Sequence, residues 1–206
     1  MRFLPTTQEK LADDVAELII RDSHRPWSRV LVDGAPPTAP GDLADAVAER
    51  LRVLGRPVVR VRAGDFLRPA SLRFERGRED PDARYEGWLD SGALHREVLD
   101  PVIPGRVLPS LWDAVTDRAT RVGYVALPEG GVVLVDGELL LGRGLPHELS
   151  VHLSLTPAAL ARRSAEPWAL PAYARYEAEV DPLSTADVAA RVDDPRRPAL
   201  RLSATG

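Results

Sequence analysis

The stretch Arg29-Val30-Leu31-Val32-Asp33-Gly34-Ala35-Pro36-Pro37-Thr38-Ala39-Pro40-Gly41-Asp42-Leu43-Ala44 runs from an apolar segment into glycine, then a short turn, then an amphipathic pattern. A phosphate-binding loop, G-x-x-x-x-G-K-[ST], has that layout: its backbone N–H groups cradle phosphates, its lysine grips them and its hydroxyl holds magnesium. Counted from Gly34, the second glycine falls on Ala39, the lysine on Pro40 and the hydroxyl on Gly41. Pro36, Pro37 and Pro40 have no N–H to aim at a phosphate. Asp42 adds an acid to the first turn of the following helix, where it takes the positive end of the dipole for itself. Two like charges about 4 Å apart repel by roughly 1 kcal/mol in water, and by several times more at lower dielectric. The frame is that of nucleotide chemistry; its contents argue against the ordinary ATP-binding form.

Other chemistries find less support. His147 and His152 are five residues apart, not the four of H-E-x-x-H, so no zinc site and no other metal site is expected. No G-x-S-x-G supports a serine hydrolase. Without cysteine there is no disulfide, thiolate nucleophile or Cys-type metal site. Lys10 is the only lysine, so any substitute cation for the loop must be an arginine. The formal net charge of −4 gives no global field for nucleic acid or an anionic membrane. No apolar run is long enough to span a bilayer and the N-terminus lacks a signal-peptide core, so a cytoplasmic location is expected.

These residues need elements to hold them. Thr6-Thr7-Gln8-Glu9 reads as a capped helix start, with Leu11, Val15, Leu18 and Ile19 following on one face, and His24-Arg25-Pro26 breaking the helix. Strands are predicted over 29–33, 57–62, 131–136, 149–155 and 189–193. A second helix is predicted to begin around Asp42, capped by its carboxylate, and to run through Leu43, Val47 and Leu51 to Gly55. Residues 66–121 are irregular and charged, with one helix expected from Asp90 to Leu99. Thr156 should cap a helix over 157–163, and 172–180 reads as another. Strands alternating with helices imply βαβ units. The expected fold is therefore α/β, three-layered, with a mostly parallel sheet of about five strands flanked by helices. The 206 residues fit one domain, and no linker divides them. Ligands of such sheets bind beyond the carboxyl ends of the strands, here at Asp33-Gly34, Gly64-Asp65, Asp136-Gly137 and Thr156-Pro157.

Several motifs then agree. They are V-D-G opening the loop, D-F-L-R-P from Asp65, the charged stretch Gly77 to Asp82, and Trp112-Asp113-x-x-Thr116. Val133 to Gly137, Arg162-Arg163 and Val192-Asp193-Asp194-Pro195 complete the series. In that order they resemble the uridine kinase-like branch of the P-loop nucleoside kinases, over nearly the whole chain. The resemblance implies a P-loop nucleoside kinase-like fold, with the acceptor and lid region around 66–121. It implies Asp136 near the metal, Trp112 and Asp113 at the acceptor, and Arg162 and Arg163 in a lid. The family's proton-accepting carboxylate stands two residues before a phenylalanine. That place is Gly64 here, with Asp65 one step later, and a one-residue shift re-aims a side chain.

The leading expectation is a uridine kinase-like protein that has lost standard ATP-driven phosphoryl transfer. Its cleft, lined by Asp65, Arg68, Tyr85, Trp88, Trp112, Asp113 and Asp136, would bind a nucleoside-like or small polar ligand, with no certain cofactor. The alternative is an active nucleoside kinase, with ATP and magnesium. There Arg68, Arg162, Arg163 or Arg175 would replace the lysine beside Gly34, since arginine grips phosphate bidentately. The third is a regulatory or structural partner protein, pairing with a true kinase or with copies of itself.

Overall fold

The computed structural model describes residues 3–21 and 26–201. His24 and Arg25, expected to break the first helix, lie outside them. The main elements in chain order are β1 (Phe3–Pro5), α1 (Gln8–Arg21), β2 (Trp27–Gly34), α2 (Pro40–Val53), β3 (Val58–Arg62), α3 (Pro81–Gly87), β4 (Gly131–Gly137), β5 (Leu149–Ser154), α4 (Pro157–Arg163), α5 (Leu170–Val180), β6 (Val188–Arg191) and β7 (Ala199–Arg201). They build a seven-stranded sheet in the order β1-β7-β6-β5-β2-β4-β3. The five strands from β6 to β3 are parallel, while β7 and β1 add antiparallel pairs at one edge.

The centre of the sheet is apolar on both faces because both faces are covered. Val30 and Val32 point to one side and join α1 and α2 through Leu11, Val15, Val47 and Leu51. Leu31, between them, points the other way and packs with Phe66, Leu94, Leu140, Tyr173 and Tyr176. β4 alternates likewise, Val132 and Leu134 against Val133 and Val135. Helices thus sandwich the sheet, as expected for a three-layer α/β chain.

Some predicted details move. Thr7, not Thr6, meets the first helix: its hydroxyl accepts from the Lys10 N–H at 3.1 Å, while the Thr6 N–H donates to the Pro198 carbonyl. α2 starts at Pro40, so Asp42 sits inside its first turn and caps nothing. The sheet has two more strands than expected, since β1 and β7 are three residues each and too short for an alternation to be legible. The irregular region holds more helix than predicted. α3 begins with the side chain of Asp80 accepting from the Ala83 N–H at 2.8 Å, Pro81 following as the first helical residue. The expected helix from Asp90 opens with that side chain accepting from the Ala93 N–H at 2.8 Å, but runs as α only over Ser91–Leu94 and as a π-helix over His95–Leu99. Among the described residues, no helix is long and apolar enough to cross a membrane.

Candidate functional site

The loop after β2 closes upon itself. Pro36–Thr38 form a 3-10 turn in which the Thr38 N–H donates to Ala35 and the Ala39 N–H to Pro36, at 2.8 and 3.0 Å. Ala39 takes the left-handed conformation, φ 55° and ψ 55°, which costs an alanine about 1–2 kcal/mol over glycine. The Asp42 N–H turns back to the Ala39 carbonyl at 3.1 Å. Prolines remove three donors of the motif, and turn geometry consumes those of Thr38, Ala39 and Asp42. Thr38 also fills the mouth of the loop, being only 7% exposed, with its hydroxyl donating to the Ala35 carbonyl at 2.7 Å. A Cβ on Gly34 would lie 2.3 Å from the Thr38 Oγ1 and 2.9 Å from the Leu153 carbonyl oxygen. Gly34→Ala is expected to cost about 1–3 kcal/mol by overpacking, read as a lowered urea midpoint. Thr38→Ala in the same chain should recover only part, because the Leu153 carbonyl is backbone and stays; full recovery would contradict this packing.

Asp136 ends β4 beside the start of α2, where a Cβ on Gly41 would come within 3.1 Å of its Oδ2. Its partner is Arg60 of β3. Nη2 of Arg60 lies 2.8 Å from Asp136 Oδ1 and 3.3 Å from the Gly41 carbonyl, while Nε binds Asp45 at 2.9 Å. The Arg60–Asp136 contact is a close ion pair whose angle falls short of a directed hydrogen bond, which leaves Asp136 Oδ1 without such a partner. Burial pushes the Asp136 carboxyl up, and Arg60 opposes that. Burial likewise raises Asp65, on the turn after β3, aided by the charges of Asp136 and Asp113 against the pull of Arg62. The fold therefore brings Asp113 and Asp136 each within electrostatic reach of Asp65, beyond the carboxyl end of β3.

ATP with magnesium does not fit these residues. The carboxylate nearest the motif's hydroxyl position already holds a guanidinium, that position is Gly41, and the N–H groups of Thr38, Ala39 and Asp42 are spent on carbonyls of the loop itself.

The other residues singled out from sequence are mostly engaged. Asp113 folds over its own turn: Oδ1 accepts from Val115 N–H at 2.9 Å and Oδ2 from the Thr116 hydroxyl at 2.7 Å. Those bonds, the Thr116 hydroxyl first, hold its carboxyl below the usual range. Trp112 donates its indole N–H to Asp117 at 3.1 Å. Trp88 packs with Phe74 and Trp168, each at 5.6 Å between ring centroids, and donates its N–H to the Arg73 carbonyl. Tyr85 binds Glu179 through its hydroxyl at 3.0 Å and lies under Arg175, which reaches Asp82, Glu86 and Glu179 at 3.1, 2.8 and 2.7 Å. Arg163 donates to the Val192 and Asp193 carbonyls after β6. Arg162 is exposed on α4, and Arg68 is exposed beside a small separate hollow with Glu75, Arg76 and Glu86.

The most constrained polar cluster was not read from sequence. Asp33, fully buried at the end of β2, accepts three hydrogen bonds. They come from the Leu140 N–H at 2.8 Å, His152 Nδ1 at 2.6 Å and the Tyr176 hydroxyl at 2.9 Å. Tyr176 in turn accepts from the Leu141 N–H at 3.0 Å. Burial and the Asp33 charge push its phenol far up, so it stays a donor. A carboxylate can only accept, so the proton on the imidazole is assigned to Nδ1. His152 Nε2 has no hydrogen-bond partner; its nearest acid is Glu177, with Oε1 3.9 Å away and its carboxyl raised by burial. His152 and Glu177 line a cavity of about 580 Å³ that opens at the carboxyl ends of β2 and β5, under α4 and α5. Its wall is chiefly Leu153, Leu155, Leu160, Leu170 and Tyr173. The one available signal was a histidine inside the apolar run 149–155, since a buried polar side chain needs a partner.

Strand order, the loop leaving the central strand and the acidic residue on its neighbour define the P-loop kinase fold. Among solved structures similar to this chain, two carry kinase names. A structure described as a possible uridine kinase from Bacillus stearothermophilus has a TM-score of 0.73 and 18% identity, covering 87% of this chain and 97% of its own. One assigned as a fructose transport system kinase, from Silicibacter sp. TM1040, has a TM-score of 0.62 and 24% identity, covering 84% and 89%. The YGR205w protein has a TM-score of 0.59 and 10% identity, covering 96% and 100%. At such identities the likeness is one of fold. No protein-family model and no curated protein matches the sequence.

Proposed function

We propose that this chain uses a uridine kinase-like fold to bind a small molecule at the carboxyl edge of its sheet, without transferring phosphate from ATP. The observation that supports this most is the closed loop, whose Thr38 and Ala39 N–H groups are spent on the carbonyls of Ala35 and Pro36. Arg60 reinforces it by neutralising the acid that a metal would otherwise engage. Two of the four arginines suggested as substitutes for the lysine are committed elsewhere, Arg175 to three carboxylates and Arg163 to two carbonyls. The apolar wall of the large cavity favours a ligand with a greasier body than the nucleoside suggested by sequence.

Isothermal calorimetry with ATP and magnesium is expected to register no binding up to millimolar concentration, and labelled ATP no transfer to nucleosides. Micromolar affinity that depends on residues 34–43, or transfer lost on Asp136→Ala, would overturn this reading.

A further inference from the structure

We propose that the cavity under α4 and α5 is a binding site for a largely apolar molecule carrying a hydroxyl group, held between His152 Nε2 and Glu177. This rests on the reading that the carboxyl edge holds a small molecule, and is independent of whether ATP is used.

The site is built from groups fixed by the core. Asp33, fully buried, holds the imidazole through Nδ1, and Tyr176 holds Asp33 from a second side. The ring is therefore locked with its other nitrogen free. His152 is only 3% exposed, and its Nε2 has no hydrogen-bond partner. A buried polar atom left so is costly, and native structures seldom retain one without a reason. Glu177 Oε1 is 3.9 Å away, out of hydrogen-bond range. An oxygen placed about 2.8 Å from both atoms fits that gap. When imidazole and carboxyl share one proton, one of them donates and the other accepts. A hydroxyl does both, and so completes the bridge.

The rest of the wall describes the rest of the ligand. At about 580 Å³ the cavity suits a small organic molecule, and its lining is dominated by leucine, alanine and tyrosine. An anion is disfavoured. Asp33 lies behind the imidazole, Glu177 stands at the rim, and the single cation on the wall, Arg191, covers the ring of Phe3 at 4.6 Å. A phosphate or carboxylate would meet more negative charge than positive. A neutral hydroxyl on an aliphatic or aromatic body meets none of that opposition.

Benzyl alcohol and toluene separate the outcomes, because they differ by the hydroxyl alone and toluene is the more hydrophobic. Titrated into the full chain, benzyl alcohol is expected to bind at least as tightly as toluene and to move the ¹⁵N resonance of His152 Nε2, which toluene leaves in place. The ratio of alcohol to toluene affinity should fall about tenfold or more in His152→Leu. Should that variant fail to fold, Glu177→Ala, at a half-exposed position, should lower the same ratio about threefold or more. Tighter toluene binding with no Nε2 shift, or ratios unchanged in both variants, would overturn the hydroxyl class while leaving the cavity a ligand site. Binding of neither probe at millimolar concentration would overturn the small-molecule reading as well. Transfer from ATP would overturn the proposed function and leave this inference standing.

Discussion

Asp33→Ala is expected to destabilise the protein by about 3–5 kcal/mol, the scale for breaking a buried, fully bonded charge cluster. The carboxylate takes no share of the solvent-exposed surface, yet it accepts from Leu140, His152 and Tyr176. Its removal strands a backbone N–H, an imidazole N–H and a phenol together, all of them on buried residues. It also frees the segment after β4 from the end of β2, since Leu140 and Leu141 are pinned by Asp33 and Tyr176 respectively. Asp33→Asn should recover only part, because its amide offers one acceptor oxygen and sets two further N–H groups among existing donors. Urea unfolding checks both variants, the midpoint falling with little change of slope. A loss below about 1 kcal/mol for the alanine variant would mean that the cluster adds little to the fold.

Arg84→Ala is the second large effect, again of about 3–5 kcal/mol. Arg84 is 5% exposed and lies between two indoles, 4.8 Å from the Trp88 ring and 5.3 Å from that of Trp168. Its guanidinium reaches Glu138 at 2.9 Å and Glu166 at 2.7 Å, which joins α3 to the segment after β4 and to the turn before α5. Burial works against the charge, and Glu138, Tyr173 and Glu166 outweigh it, so the pKa ends above the usual arginine value. The alanine variant loses the stacking between the rings and leaves Glu138 beside Tyr173 without its cation. Arg84→Lys should fare little better, because an ammonium lacks the planar fork that serves two carboxylates at once. Pairing Arg84→Met with Glu138→Gln should cost clearly less than the two single losses added, which a double-mutant cycle in urea would test. Strict additivity would show that the two residues do not act together.

How much of this was legible in the sequence follows from what each feature depends on. β2 and β4 centre on runs of valine and leucine buried on both faces, and such runs are visible in one dimension. The cap at Thr156 is local, three residues from its target, and was readable. So was the replacement of the loop's glycine, lysine and hydroxyl. Asp33 and His152, by contrast, are 119 positions apart and meet only because β2 and β5 are parallel neighbours in one register. Nothing local announces that. Arg60 could not be assigned to Asp136 either, since the contact crosses from β3 to β4 at the sheet's edge. Asp113 is the opposite case: D-x-x-T is legible, and the structure folds that pattern into a self-bonded turn. Trp88 and Tyr85 were read as lining for a ligand, while the structure occupies them with arginines and other rings.

The self-closed turn at 36–39 also bears on what it would take to rebuild a phosphate cradle here. A lone change of Pro40 to lysine would add a cation but leave the Thr38 and Ala39 amides facing their own carbonyls. A lone change of Ala39 to glycine would relieve strain and bring no donor. Several substitutions would therefore have to act together, the prolines among them.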